Sequence, residues 1–330
     1  MFDMILLTIL SASRPVQTFL LIPPTAEGSG MGYAQTAYCF DASANYYNAA
    51  FMPFIERIKM TIDAFQYLPG LDPDLYYLYM AGIIPSGNSA IGLDFTIMSL
   101  GRVEVRNFEG DYLGEYYCFK NEGKISFSRI VLPGFAAGLG VKVINQNHRF
   151  GSDIGVLQPE CPGLELSGGG TWFAFDVNVA YKIKPKLYVG MVVHDLGSNI
   201  KYEDMNQENS LPTTWRFAIS YAPIKNPNFS LALAGGVTKI LPMMFNGSGS
   251  FWDQVDYEIK SAWKGIGVEV GFREVIFMRA GYFYDYEWIR KGITYGGGIK
   301  LFKFEFDLGV DENVYGFNTS QKKFSLSYTF

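Results

Sequence analysis

From about residue 54 onward, apolar and polar residues alternate with a period of two over segments of about 9 to 14 residues, the pattern of half-buried strands. In TWFAFDVNVAYKI, Phe173, Phe175, Val177, Val179, Tyr181 and Ile183 share one face of an extended strand, while Asp176, Asn178 and Lys182 share the other. The same division sets Trp215, Phe217, Ile219 and Tyr221 against Arg216 and Ser220. It also sets Phe304, Phe306, Leu308 and Val310 against Glu305 and Asp307, and Ile276, Met278 and Tyr282 against Arg279. The pattern predicts strands at 54–65, 73–84, 88–100, 123–131, 135–148, 170–183, 186–194, 212–222, 227–239, 262–272, 274–284, 291–301, 303–311 and 322–330, an even number.

The links between these strands alternate in length. PSG at 85–87, LPG at 132–134, KP at 184–185, PIKN at 223–226 and single-residue turns near Arg273 and Phe302 form a short set. The segments 101–122, 149–169, 195–211 and 240–261 form a long set. Antiparallel neighbours in sequence order put all short links at one end and all long ones at the other. A strand of about 10 residues rising about 3.3 Å each, tilted about 40°, climbs roughly 25 Å, the apolar height of a membrane barrel. A charge facing lipid at mid-depth costs about 2–4 kcal/mol, so Asp176, Arg216, Arg279, Glu305 and Asp307 belong on an inner face. The expectation is an all-β, closed antiparallel transmembrane barrel of fourteen strands over 54–330. A soluble sandwich or propeller is the alternative, but no blade-length repeat is present.

The chain ends in KKFSLSYTF, which puts Phe324, Leu326, Tyr328 and Phe330 on one face, expected to meet lipid, with Ser325, Ser327 and Thr329 on the other. Terminal aromatic strands of this kind resemble the signal by which the barrel assembly machinery recognises its substrates.

Composition narrows the picture. The 27 Phe, 22 Tyr, 5 Trp and 36 Gly favour strands and turns, and a net charge of -5 offers no basic footprint for nucleic acid. No apolar run is long enough for a helical membrane span. Met4–Leu10, followed by small residues, resembles the core of a secretory signal, although Asp3 stands where a positive charge is usual. Residues 1–13 are therefore expected to be an export signal, with an ordinary buried strand as the alternative.

Catalytic chemistry finds no footing. Cys39, Cys118 and Cys161 have no CxxC spacing, and His148 and His194 are the only histidines, so neither a metal site nor a cofactor is expected. GSGMG at 28–32 and GSGS at 247–250 miss both the nucleophile elbow and the phosphate-binding loop. His194 adjoins Asp195 without an assignable nucleophile, and Glu305 with Asp307 reads as a solvated or ion-paired lumen face. Working parts are expected in the long loops, with Phe251, Trp252 and Tyr257 in NGSGSFWDQVDY as partner-binding residues.

Ahead of the first strand, FLLIPPTAEGSGMGYAQTAYCFDASANYYNAAF at 19–51 resembles the amino-terminal motif of the PorV/PorQ-type outer-membrane proteins, relatives of the FadL-like transporters. The matching positions are Phe19 to Ile22, Gly30, Met31 and Gly32, Ala34 and Ala37, Asp41, and Tyr47, Asn48 and Ala50. Ala49 stands where the family usually has Pro, and Glu27 where a basic residue is common. SLGRVEVRNFEGDYLGEYY, HDLGSNIKY and MRAGYFY are similar to later family segments, with Asp195 in place of Asn. The resemblance implies a fourteen-strand barrel in the bacterial outer membrane, surrounded by lipid, with residues 14–53 as a plug or hatch. It further implies secreted cargo proteins and type IX translocon components as partners; the alternative is a FadL-like transporter of a hydrophobic small molecule.

Overall fold

The computed structural model describes residues 15–70, 74–106, 109–150, 170–197, 199–201, 208–244, 250–286, 290–312 and 320–330. The expected export signal at 1–13 lies outside them, as do Cys161 and the GSGS run except its last serine. The strands are β1 (Lys59–Gln66), β2 (Leu75–Ser86), β3 (Ser89–Arg106), β4 (Tyr112–Leu132), β5 (Phe135–Phe150), β6 (Gly170–Lys184) and β7 (Leu187–Gly197). They continue as β8 (Thr214–Lys225), β9 (Phe229–Ile240), β10 (Trp263–Phe272), β11 (Ile276–Asp285), β12 (Arg290–Leu301), β13 (Phe304–Asp311) and β14 (Gln321–Thr329). Each pairs antiparallel with its sequence neighbours, and β14 closes on β1 through Lys59↔Thr329 to Phe65↔Lys323, giving a closed fourteen-strand barrel. A two-residue hairpin, Ile200–Lys201 with Glu208–Asn209, stands apart from it.

Period-two patterning sorts the side chains as expected. Leu93, Ile125, Leu139, Phe173, Phe175, Ile266, Met278, Ile293 and Phe306 face out, while Asp94, Lys124, Lys142, Asp176, Arg279 and Asp307 are buried inside. An apolar exterior on a sheet without edges satisfies every backbone group by pairing, the condition for strands in hydrocarbon. At the short-turn end, outward aromatic pairs span neighbouring strands: Phe135 with Tyr181, Phe229 with Phe272, and Phe304 with Tyr328, which in turn meets Phe330. The final strand presents Phe324, Leu326 and Phe330 outward, and the Phe330 amide donates to the Ile58 carbonyl at 3.0 Å. Val310 departs from the pattern: expected on the outer face, it is buried.

Strand boundaries shift from the sequence reading, most of all at the following places. The predicted loop at 101–122 is largely strand: beyond Leu100, which pairs with the first residue of β2, β3 and β4 continue paired as far as Arg106↔Tyr112. Alternation persists there, but Arg102, Glu104 and Arg106 carry charges on the exposed face, which reads as loop and is permissible above the apolar belt. Part of the predicted loop at 240–261 is a helix, Phe251–Ser261, started by a capping box in which Ser250 and Asp253 bond each other's backbone amides. The first strand begins at Lys59 and not at 54, because Ala49–Phe54 forms a 3-10 helix. The tight links at Arg273 and Phe302 are longer than one residue, running 273–275 and 302–303, and Arg273, Glu274 and Phe302 take left-handed backbone angles.

Candidate functional site in the barrel interior

Residues 15–55 precede the barrel as a chain of short elements: 3-10 turns at Thr18–Leu21, Gln35–Ala37 and Ala49–Phe54, and helices α1 (Ala26–Gly30) and α2 (Ala44–Tyr47). The longer helix Phe251–Ser261 is α3. Small residues let this segment lie close against the inner wall, and nearly all of Phe19 to Ile55 is buried. Wall side chains satisfy its backbone where its own short helices cannot. Lys59 donates to the Phe40 carbonyl at 2.8 Å, Lys124 to Asn45 at 2.6 Å and Ser220 to Ala37 at 2.6 Å; Lys323 donates to Pro23. In return the amides of Ala26, Gly32 and Ala49 donate to Ser325 Oγ, Thr294 Oγ1 and Asn178 Oδ1 at 3.0–3.1 Å. A proline at position 49 could not make the Ala49 bond, because it has no N–H to give.

Along β3 to β7 the wall carries a buried charge network. Asp176 Oδ2 lies 2.6 Å from Lys124 Nζ, 3.2 Å from Lys142 Nζ and 2.9 Å from His194 Nδ1. Lys142 also reaches Asp195 Oδ1 at 2.7 Å. The β6–β7 register shifts here between Phe175 and Val177, and Asp195 takes a left-handed conformation, φ 59. Its N–H donates to Asp176 Oδ1 at 2.9 Å and its carbonyl accepts from Thr213 at 2.7 Å. The bulge thereby turns two consecutive residues, His194 and Asp195, into the interior, at a position where Asp tolerates the backbone better than most residues. Asp94, also on this wall, accepts from Asn45 Nδ2 at 2.6 Å, tying α2 to β3.

A second network gathers on β10, β11 and β13. Arg279 Nε meets Glu269 at 2.6 Å, and its amino groups approach Asp307, Glu305 at 3.8 Å and Glu27 of the segment at 4.0 Å. Glu27 thus brings a carboxylate of the segment to Arg279, where a basic residue would face a like charge. Tyr38 donates to the same Glu269 at 2.7 Å. Between these side chains the wall is bare glycine. A methyl group built on Gly265 or Gly281 would strike the backbone of Gly32, one on Gly267 that of Met31, and one on Gly309 that of Ala26. These glycines form a furrow in which 26–32 lies, and Gly32 itself is left-handed, φ 61, under the carbonyl of Ile266.

The residues singled out in the sequence take separate places. Gly30, Met31 and Gly32 occupy the furrow, and Met31 packs with Ala34 and Ala234. Asp41 accepts from the Ser43 amide and hydroxyl at 3.1 and 2.5 Å, closing a turn ahead of α2. The Tyr47 hydroxyl lies 2.9 Å from Thr25 Oγ1, and Asn48 donates to the Thr36 and Val179 carbonyls at 3.1 and 3.0 Å, joining segment to wall. Cys39 and Cys118 are free thiols, and burial pushes the Cys39 thiol well above its ordinary pKa. Of the loop aromatics, Trp252 is 76% exposed on α3, Tyr257 sits under Lys239 at 5.9 Å, and the Phe251 side chain lies outside the described residues. Lys124, Lys142 and Glu122 escaped the sequence reading. Their signal was available, as charges alternating with Ile125, Val141 and Val143, but it was masked by Gly123 and Ser126 between them.

A cavity of about 30 Å³ lies where the segment meets β8 to β11, with Leu21 and Thr36 on one side and Arg216, Thr238, Trp263 and Phe283 on the other.

No family model matches the chain, and no curated protein matches it. Solved structures do share its fold. The P. putida toluene transporter TodX aligns at TM-score 0.59 with 12% identity, covering 93% of this chain and 98% of that one. The Ralstonia pickettii toluene transporter TbuX gives 0.57 and 15%, covering 92% and 97%. A Pseudomonas aeruginosa FadL homologue gives 0.51 and 14%, covering 94% and 98%. The fold is a FadL-like barrel, and together with the apolar outer belt it indicates a bacterial outer-membrane location.

Proposed function

We propose that the chain is an outer-membrane channel for a hydrophobic small molecule, with residues 15–55 acting as its plug. The observation that carries this reading is the match, over nearly the whole length of both chains, to barrels described as toluene transporters. The segment lies along the inner wall, with nearly all of Phe19 to Ile55 buried. A benzene-sized guest occupies a cavity of roughly 150 Å³, and the 30 Å³ beside Arg216 is far smaller. Passage through that cavity requires part of the segment to leave the wall. The test is uptake of labelled toluene and of a long-chain hydrocarbon by cells with and without the chain in their outer membrane. Faster uptake with the chain is expected, and uptake of both substrates at the same rate with and without the chain would overturn transport.

A second reading, a surface barrel that holds secreted cargo with type IX translocon components, draws on the buried segment along the inner wall and on the β3–β4 hairpin continuing beyond β2. Native pull-down with mass spectrometry tests it; recovery of neither cargo nor translocon would sink it.

A further inference from the structure

Two arginines are buried in the interior among the described residues, and they are treated differently. Arg279 has four carboxylates within 4.0 Å. Arg216, 6% exposed, has no ion pair with a described carboxylate, and its Nε has no hydrogen-bond partner. Its guanidinium lies over the Tyr46 ring at 5.4 Å, which spreads the charge without neutralising it. Asp195, whose charge Arg216 also feels, is occupied by Lys142 at 2.7 Å. A buried charge without a counter-charge is among the costliest features a fold can carry.

Arg216 also lines the cavity at the segment interface, and among its described lining residues none is acidic. The polar side chains around it can donate: Thr36, Thr238 and the indole of Trp263 join the guanidinium. The aromatic rings of Trp263 and Phe283 have positive edges, which suit an anion equally well. A volume of 30 Å³ exceeds the about 10–15 Å³ that one water-sized sphere needs, and is too small for an organic acid with a tail.

We propose that Arg216 holds a small monovalent anion of halide size in this cavity, and that the anion helps seat residues 21–36 against β8 to β11. The ion supplies the counter-charge missing at Arg216, from a position in contact with both the wall and the segment.

The experiment uses the full chain in detergent, with the unfolding midpoint read by heat-modifiable gel migration in sodium chloride, sodium bromide and sodium gluconate at equal ionic strength. Chloride and bromide should raise the midpoint by about 2–4 °C over gluconate, saturating with concentration as a single site does. Arg216→Gln should lose that difference, and Arg216→Lys should retain part of it. Equal midpoints in all three salts, or an unchanged halide response in Arg216→Gln, would overturn the site. Should Arg216→Gln fail to fold, crystals of the unaltered chain grown in bromide decide the matter. An anomalous peak beside the guanidinium supports the site, and a cavity holding water alone refutes it.

Discussion

The amino-terminal segment is gripped by two walls that work by different physics. Along β3 to β7 the wall reaches inward with Asp94, Lys124, Asp176 and Asn178, and it meets residues 45–49 through hydrogen bonds, supported by ion pairs behind them. Along β10 to β13 the wall withdraws its side chains at Gly265, Gly267, Gly281 and Gly309 and meets residues 26–32 backbone to backbone. The first grip is strong in energy and tolerant of small displacements. The second adds bonds of its own, such as the Gly32 amide to Thr294 Oγ1, but above all it fixes position, because an atom added at these glycines collides. A segment held in both ways is located by the furrow and retained by the charged wall.

The largest effect is expected at the charged wall. Asp176→Ala leaves Lys124 without its carboxylate in a buried setting, a loss of about 3–5 kcal/mol. The variant should shift the heat-modifiable transition sharply downward; a shift comparable to that of a surface substitution would show that the network does not sustain the wall. Next comes the furrow. Gly267→Leu drives a side chain into Met31, with an overpacking cost of about 1–3 kcal/mol that the segment can relieve by leaving. In a background where Cys118 and Cys161 are serine, the Cys39 thiol, buried in the unaltered chain, should become reactive to maleimide while the barrel stays folded. Continued protection of Cys39 would break the distinction between the two walls. The smallest effect is expected where a single neutral bond joins segment to wall. Ser220→Ala removes the donor to the Ala37 carbonyl and should cost about 0.5–1.5 kcal/mol, read as a modest fall in the same transition with Cys39 still protected.

Much of the barrel was legible because its determinants are local. Alternation along a strand is set by the two-residue repeat of the backbone and by the cost of charge in lipid, so Phe173 to Ile183 declare their outer face with no knowledge of a neighbour. The extension of β3 and β4 was hidden because alternating charge at Arg102, Glu104 and Arg106 looks like loop once the membrane no longer forbids it. The helix α3 was hidden because its capping box opens on a Gly- and Ser-rich run, and its Lys260 to Asp256 pair at 2.5 Å is visible only once the helical period is assumed.

By itself, the sequence determined the strand count, the inner and outer faces and the inward placement of Asp176, Arg216, Arg279 and Asp307. These follow from period and polarity alone. Only the tertiary structure decided which inward charges meet, that Arg279 is ringed by carboxylates while Arg216 faces a cavity, and that glycines on three different strands line up beneath residues 26–32. Those outcomes depend on register and closure, which bring residues hundreds of positions apart to within contact distance, and no local pattern encodes them.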